Sequence, residues 1–315
     1  MRAPRASQPP EGPVAAIDCG TNTIKLFIGT PPDAVVREAR MVRLGQGVDA
    51  TGRLSDEALA RAFAALDEYA ALVRDHDVPP SRIRFCATSA TRDASNASAF
   101  REGVRSRLGV EPEVLSGDEE AALGFAGAMS GLPDDVTAPV LVVDVGGGST
   151  EVILGDRSGV LAARSMDIGS VRLHERHVRH DPPTPAEVAA IHADVDAALD
   201  SLLGGDGVPL ADAATVVGIA GTCTTLAAAL LDLPAYDRAA IDGSVHAVED
   251  VRRTVAWLVG LSVDERRALP FMHPGRADVI AAGVIVLEQV LARTRVPTLR
   301  VCESDILDGI AASVS

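Results

Sequence analysis

Two stretches of the chain share one pattern of apolar and polar positions, and the other motifs are interpreted around them. Residues 140–155 read VLVVDVGGGSTEVILG, an apolar run, an aspartate, a glycine-rich turn and a second apolar run. The first run is too short for a helix and largely β-branched, which is typical of a buried strand. Residues 14–29, VAAIDCGTNTIKLFIG, show the same order earlier in the chain. The pattern predicts two strand–turn–strand units, either from a duplicated domain with a shared cleft or from chance similarity of short hairpins.

The turn of the second unit carries groups that suit a phosphate, although a plain tight turn is the alternative. We expect its glycines to turn the chain with positive φ and to bring backbone amides close to a ligand. Amides and hydroxyls suit phosphate oxygens, and they follow one another at Gly146, Gly147, Gly148, Ser149 and Thr150. The carboxylates of Asp144 and Glu151 suit a hard cation or a water nucleophile. Because a strand follows the glycines, the pattern disfavours a dinucleotide fingerprint and a P-loop, which need a helix there.

Elsewhere, apolar periodicity predicts alternating helices and strands, and therefore an α/β protein. Helices are predicted over residues 55–74, 96–108, 116–130, 170–180, 185–203, from 226, and over 248–260, 263–269, 273–293 and 304–314. Strands are predicted over 83–88, 113–115, 160–168, 215–220 and 298–302. The proline-bounded segment 133–139 is the predicted domain boundary, which divides the chain into a disordered leader (1–12), a first domain (13–135) and a second domain (136–315). The last helix is free to pack back on the first domain.

The composition of the chain disfavours some classes of binding partner. The chain has 315 residues with a net charge of −15, which disfavours general affinity for nucleic acid or for anionic membranes. A polyanion would need a local cationic groove, and the only lysine of the chain, Lys25, lies in the first glycine-containing unit. The four cysteines show no metal-ligand or disulfide spacing, and no apolar run reaches membrane-spanning length. We therefore expect a cytoplasmic protein with reduced thiols and no membrane partner.

Two adjacent glutamates at 119 and 120 have different expected roles. Ser116 and Glu119 have the spacing of a capping box, so Glu119 is expected to satisfy a backbone amide at the start of a helix. Glu120 has no such role on a helix that is otherwise apolar. From the residues alone, a solvent-facing carboxylate at a favourable helix N-terminus is the simpler interpretation, and a carboxylate aimed into a site is the alternative.

Two further segments carry open alternatives. After the strand predicted over 215–220, Gly221 and Thr222 lead into a helix N-terminus, which is either an anion site or a simple N-cap. The basic residues and histidines from 172 to 180 resemble a solvated helix face, and the histidine spacing fits no set of metal ligands.

Six motifs together resemble the exopolyphosphatase and guanosine-pentaphosphate phosphatase family. They are IDCGTNT (17–23), ATSATR (87–92), SGDEEA (116–121), DVGGGSTE (144–151), AGT (220–222) and HPGRAD (273–278). The resemblance implies a two-lobed, actin-like fold related to acetate and sugar kinases, with duplicated ribonuclease H-like domains around a central cleft. It also implies hydrolysis of the terminal phosphoanhydride of inorganic polyphosphate, with guanosine pentaphosphate as the alternative substrate and a homodimer as one oligomeric option. Larger members carry helical C-terminal domains that this sequence lacks, which favours short polyphosphates.

The resemblance also implies roles for individual residues. Glu120 becomes the general base, which reverses the solvent-facing interpretation, and Glu151 orients water or, with Asp144, holds Mg²⁺, for which Mn²⁺ is the alternative. Phosphate oxygens are expected to contact Gly20, Thr21, Asn22, Thr23, Lys25, Arg92, Gly146, Gly147, Gly148, Ser149, Thr150, Gly221, Thr222 and Arg276. From the net charge of −15, and not from the resemblance, Arg172 is expected to be one of the few cations that bind the substrate and to matter more as the polyphosphate lengthens. Two competing hypotheses are a kinase of the same fold, which would need ATP and an adenine pocket, and a non-catalytic sensor of polyphosphate or alarmones.

Overall fold

The computed structural model describes residues 12–203 and 207–314. The predicted leader, apart from Gly12, and part of the loop predicted over 204–209 lie outside these ranges. The strands are β1 (Val14–Cys19), β2 (Thr23–Thr30), β3 (Asp33–Met41), β4 (Ile83–Ala87), β5 (Glu113–Val114), β6 (Val140–Val145), β7 (Thr150–Asp156), β8 (Gly159–Met166), β9 (Thr215–Ile219), β10 (Val245–Ala247) and β11 (Thr298–Val301). The α-helices are α1 (Val48–Thr51), α2 (Asp56–Asp75), α3 (Ser89–Asp93), α4 (Ala97–Leu108), α5 (Gly117–Gly131), α6 (Ser170–His177), α7 (Pro185–Asp200), α8 (Ala220–Leu230), α9 (Arg238–Ile241), α10 (Val248–Gly260), α11 (Val263–Arg267), α12 (Ile280–Ala292) and α13 (Ile306–Ala312).

The strands form two sheets with related topology. The first has the order β3-β2-β1-β4-β5 and the second has the order β10-β11-β9-β6-β7-β8. In each sheet a hairpin and a third antiparallel strand lie on one side, and the next strand pairs in parallel with the first strand of the hairpin. Asp18 pairs with Lys25 in the first hairpin, as Asp144 pairs with Glu151 in the second. The repeated topology confirms the predicted α/β class and its two-sheet architecture.

Two helices connect the sheets. One face of α5 packs on the second sheet, where Phe125 and Met129 join the cluster of Val142 and Ile153. In contrast, α13 packs on the first sheet, where Ile310 lies in one cluster with residues of β1 and β2. The two helices also contact each other closely: a Cβ on Gly127 would overlap the carbonyl of Asp305 at the start of α13. Apolar burial thus holds together segments that are distant in sequence, at roughly 25 cal/mol for each Å² removed from water.

Several local predictions need correction. The segments β3, β10, α1, α3 and α9 were not predicted from the sequence. The predicted helix 273–293 begins only at Ile280, after a single 3₁₀ turn over Pro274–Arg276. The helix predicted over 170–180 ends at His177. The helix predicted from residue 226 begins already at Ala220, which has a φ of 62°. None of the helices in the described ranges combines the length and the hydropathy that a bilayer crossing requires.

Candidate active site

A cavity of about 730 Å³ opens between the two sheets, where both hairpin turns meet. Side chains from α5, from the start of α8 and from the segment before α12 complete its wall. Most residues that the sequence singled out line it: Gly20, Thr21, Asn22, Thr23, Lys25, Glu120, Asp144, Gly146, Gly147, Gly148, Ser149, Glu151, Gly221, Thr222 and Arg276. The cavity is therefore the candidate active site.

The two hairpin turns have the same backbone geometry. Gly20 N donates to Thr23 O at 3.0 Å, and Gly146 N donates to Ser149 O at 3.1 Å. In each turn the two central amides donate to no protein acceptor within residues 12–203 and 207–314. These amides belong to Thr21, Asn22, Gly147 and Gly148. Successive backbone amides without an acceptor form an anion-binding concavity, so the cavity has one such turn from each sheet.

The glycines of the second turn are required by close packing and not by positive φ, which corrects the sequence prediction: none of the three has φ in the left-handed region. A Cβ on Gly148 would lie 2.5 Å from Ser89 Oγ and 2.6 Å from Thr21 Oγ1, two hydroxyls that are themselves 3.0 Å apart. On the other side, a Cβ on Gly169 would overlap the carbonyl of Gly147. The turn is therefore held between the first sheet and the start of α6.

Three carboxylates from the second sheet and from α5 form a cluster at the centre of the site. Burial, reinforced by Glu151 and Asp144, raises the pKa of Glu120 well above its ordinary value, while Arg92 opposes the shift. Burial and Glu151 likewise raise the pKa of Asp144. Glu151 itself is 2% exposed and accepts a hydrogen bond of 2.6 Å from Ser165 Oγ; burial raises its pKa although this bond opposes the shift. A cluster that resists full ionisation favours bound protons or cations.

The first hairpin contributes charges of both signs. Lys25 Nζ lies 2.6 Å from Asp305 Oδ2 and 3.5 Å from Asp18 Oδ2. Burial alone would lower the pKa of Lys25, but the two carboxylates outweigh it and raise that pKa. Burial raises the pKa of Asp18 to about 6, and Lys25 opposes this effect. Lys25 is thus a firmly protonated ammonium inside the cavity.

Three predicted phosphate contacts are placed differently from one another. Arg276 lines the cavity, donates to Thr225 Oγ1 at 2.7 Å and packs its guanidinium against Gly221. Arg92 lies behind Glu120, with Nη1 at 2.8 Å from Leu115 O and 3.4 Å from Glu120 Oε2. Thr150 is fully buried and donates to Ile168 O at 2.8 Å. The Thr150 side chain therefore does not line the cavity. Arg92 does not line it either, and contacts Glu120 of the carboxylate cluster instead.

Three groups of the protein hold the guanidinium of Arg172, which favours a structural role over the predicted contact with longer chains. Its Nε donates to Gly148 O at 2.8 Å, and its Nη atoms lie 2.6 Å from carboxylate oxygens of Asp49 and Asp93. On the same helix, Arg176 pairs with Asp49 as well. The basic face of α6 is therefore a link between the glycine turn of the second sheet and the helices of the first.

Sequence reasoning missed several residues of the wall. Asp18 was recognised as part of the repeated pattern but not assigned to the site, although its position equals that of Asp144 in the second hairpin. Arg37 and Asp305 also line the cavity. Arg37 lies on a strand that was not predicted. Asp305 is the N-cap of the last helix, and its spacing to Asp308 indicates a helix start but not a residue of the site.

A divalent cation, implied by the family resemblance, fits these residues. Seven acidic and four basic side chains line the cavity: Asp18, Glu38, Glu120, Asp144, Glu151, Glu303 and Asp305 against Lys25, Arg37, Arg238 and Arg276. In addition, the buried Oδ1 of Asn22 has no hydrogen-bond partner among the described residues. Within residues 12–203 and 207–314, no group of three or more His, Cys, Asp or Glu side chains is placed to hold a metal ion by itself, the carboxylate cluster included. A hard divalent cation needs no such cage where one or two carboxylates hold it together with waters and substrate phosphates.

Comparisons with known proteins agree with the geometry. A sequence model described as the Ppx/GppA phosphatase family matches residues 26–314. Exopolyphosphatase 2 of Mycobacterium tuberculosis is 46% identical over 96% of this chain and 98% of its own length. The crystal structure of an exopolyphosphatase-like protein is 42% identical, covers 96% of this chain and 98% of that chain, and superposes with a TM-score of 0.91. A guanosine-5'-triphosphate,3'-diphosphate pyrophosphatase of Vibrio atlanticus is 36% identical over 52% of this chain and 33% of its own length. This chain belongs to the Ppx/GppA phosphatase family.

Proposed function

We propose that this protein is an exopolyphosphatase, which hydrolyses the terminal phosphoanhydride bond of inorganic polyphosphate and releases orthophosphate. The observation that carries the proposal is the meeting of two amide-lined turns with the buried carboxylates of Glu120 and Glu151 in one cavity. Amides bind phosphoryl oxygens, whereas carboxylates beside a polyanion are useful only for activating water or holding a cation. The 46% identical relative that carries this name supports the same substrate.

In the proposed reaction the terminal phosphoryl group binds between the two turns. The free amides of residues 21–22 and 147–148, with the ammonium of Lys25, stabilise its non-bridging oxygens. Glu120 takes a proton from a water molecule whose oxygen attacks phosphorus in line with the bridging oxygen. The new P–O bond forms, the bridging P–O bond breaks, and the chain that leaves is one phosphate shorter.

The environment of Glu120 suits the role of a general base. A raised pKa brings a carboxylate closer to the pH at which it must accept a proton, which increases its catalytic efficiency. Burial is the main cause of the shift, with Glu151 and Asp144 adding to it. Glu119 faces the other way, because its carboxylate accepts from the backbone amide and the hydroxyl of Ser116 in the capping box. The neighbouring glutamates thus divide into a catalytic and a structural residue.

We propose that Asp144 and Glu151 hold a divalent cation, Mg²⁺ or alternatively Mn²⁺. When bound, such a cation supplies positive charge to the non-bridging and bridging oxygens of the phosphoanhydride. The excess of acidic over basic side chains on the wall supports this assignment, since the cavity would otherwise repel a polyanion.

We further propose a cytoplasmic protein that binds neither nucleic acid nor membrane, divided into domains 13–135 and 136–315, and dimeric in solution. The four cysteines are free and buried, which suits a reducing compartment. Light scattering of the purified chain tests the dimer.

The experiment that tests the function measures orthophosphate release from polyphosphates of defined length, guanosine pentaphosphate and ATP at equal concentration. We expect the highest kcat/KM with short polyphosphates. A preference for guanosine pentaphosphate would favour the alternative suggested by the Vibrio relative, and transfer of phosphate from ATP to a sugar or acetate would favour a kinase. Binding without release in any metal buffer would identify a sensor. The Glu120→Gln variant controls for contaminating phosphatases.

A further inference from the structure

The C-terminal helix holds the only lysine of the chain in place inside the candidate site. Lys25 and Asp305 are 280 positions apart in sequence, and their charged atoms are 2.6 Å apart. A lysine side chain is a flexible stem with a compact charge, and about 2 kcal/mol of rotamer entropy opposes its fixation. In a cavity of about 730 Å³ it has room to move. A fixed partner is therefore needed if the ammonium is to meet a phosphoryl oxygen at one position.

Asp305 is itself rigid. Its Oδ1 accepts from Leu307 N at 3.0 Å as the N-cap of α13, which leaves Oδ2 for Lys25. Its own amide donates to Asp308 Oδ2 at 2.9 Å. Arg37 in turn donates two hydrogen bonds, of 2.7 and 2.8 Å, to the carboxylate of Asp308. Asp305 is 6% exposed. The carboxylate therefore has one orientation, determined by the helix and by β3.

The same helix also contacts the element that carries Glu120. A Cβ on Gly127 of α5 would overlap the Asp305 carbonyl, and a Cβ on Gly309 of α13 would overlap the Leu123 carbonyl. Backbones in such close contact cannot slide past each other without strain. The position of Asp305 is thus tied both to Lys25 and to α5.

We propose that Asp305 is a positioning residue, which acts through Lys25 and holds its ammonium where the terminal phosphoryl group binds. The kinetic part of this inference rests on the proposed function; the geometric part does not. Asp305 contacts no reacting atom in this arrangement. Its loss is expected to release Lys25 towards solvent or towards Asp18, 3.5 Å away, and to lower kcat more than it changes KM.

The first test uses the fact that the chain has a single lysine. Acetic anhydride labelling at fixed pH, followed by mass spectrometry, reports the reactivity of Lys25 alone once the N-terminal amine is counted separately. Asp305→Asn keeps the size of the side chain and a good N-cap, and Asp305→Ser is a second uncharged N-cap. We expect about tenfold faster labelling in both, because each pKa unit lost by the ammonium multiplies its reactive form by ten. Asp118→Asn, which removes a charge from an exposed carboxylate outside the cavity, controls for the change in net charge and is expected to leave the rate within twofold.

The second test is a double-mutant cycle with Lys25→Met, measured with short polyphosphate. We expect Asp305→Asn to lower kcat about tenfold to a hundredfold, and to have no further effect when Lys25 is already Met. Unchanged labelling of Lys25 or additive kinetic effects would overturn the proposal, and equal melting temperatures exclude a general loss of structure. If no polyphosphate is hydrolysed, the proposed function fails, and the labelling rates alone decide whether Asp305 positions Lys25.

Discussion

Lys25 and Glu151 occupy the same position in two equivalent hairpins. Each follows a turn with the same hydrogen bond and pairs in register with an aspartate, Asp18 in one case and Asp144 in the other. The repeated backbone thus presents a cation from the first sheet and a carboxylate from the second to one cavity. This difference suits the proposed reaction, in which Lys25 stabilises phosphoryl oxygens and Glu151 helps to hold a cation.

Glu120→Gln is expected to lower kcat by roughly 10²–10⁴-fold, the usual contribution of a general base. The fold is expected to remain, because the amide keeps the shape of the side chain. Phosphate release and equilibrium binding of polyphosphate measure the two effects. The matched control is Glu119→Gln, which removes the charge of the capping box and not of the cavity and is expected to affect the melting temperature more than kcat. Activity of Glu120→Gln within threefold of the natural enzyme would remove Glu120 from this role.

Asp144→Asn is expected to raise the Mg²⁺ concentration needed for the half-maximal rate, because one hard oxygen ligand, or its contact with a metal-bound water, is lost. The measurement is a Mg²⁺ titration of the initial rate, with Asp135→Asn, a change at an exposed carboxylate, as the control. An unchanged titration together with a normal melting temperature would assign Asp144 to the turn and not to the metal.

Asp18 is expected to make stability depend on pH. Its pKa is about 6 in the fold, against an ordinary value of 3.8, mainly because of burial. A carboxyl that binds its proton more tightly when folded destabilises the fold as pH rises from about 4 to about 6, and the cost stays constant above that range. The cost is about 3 kcal/mol. Asp18→Asn is therefore expected to raise the free energy of unfolding by up to this amount at pH 8 and by nothing below pH 4.

Urea unfolding at pH 4, 6 and 8 measures this difference for Asp18→Asn and for Asp33→Asn, a change at an exposed carboxylate. The free energies of unfolding of Asp18→Asn and of the natural protein could differ by the same amount at every pH. In that case the buried charge of Asp18 would not be the cause of the difference.

Arg172→Ala is expected to reduce activity on short and long polyphosphates by the same factor. The structure uses this side chain to connect Gly148 O with Asp49 and Asp93, so its loss loosens the turn whatever the length of the substrate. KM and kcat for two chain lengths test this, with Arg179→Ala, a change at an exposed residue beyond α6, as the control. A loss of activity that grows with chain length would instead support the predicted contact of Arg172 with longer chains.

Gly148→Ala is expected to abolish most activity, because the new methyl group would meet the hydroxyls of Ser89 and Thr21 at about 2.5 Å. Either the two sheets separate or the turn shifts, and both changes displace the free amides. Gly260→Ala, where a Cβ would meet nothing within 4 Å, is the matched control and is expected to keep full activity. Melting temperature and kcat of both variants distinguish a local shift from unfolding.

The local sequence determined those features that depend on neighbours in the chain. Alternating apolar runs and turns predicted both hairpins, and the spacing of Ser116 and Glu119 predicted a capping box that the structure contains. The helix predicted over 55–74 likewise begins with Ser55, which is the N-cap of α2 and accepts from Ala58 N. These features follow from backbone periodicity and from hydrogen bonds that span a few residues. The motifs then indicated the family, which the comparisons show.

Only the tertiary structure decided which groups meet across the chain. Asp305 reaches Lys25 because α13 packs on the first sheet, and Arg172 reaches Asp49 and Asp93 because α6 lies against its helices. Thr150, placed by its motif among the phosphate contacts, turns its hydroxyl to Ile168 instead. The partner of a charged or polar side chain depends on the packing of distant segments, which apolar burial determines and which no local spacing records.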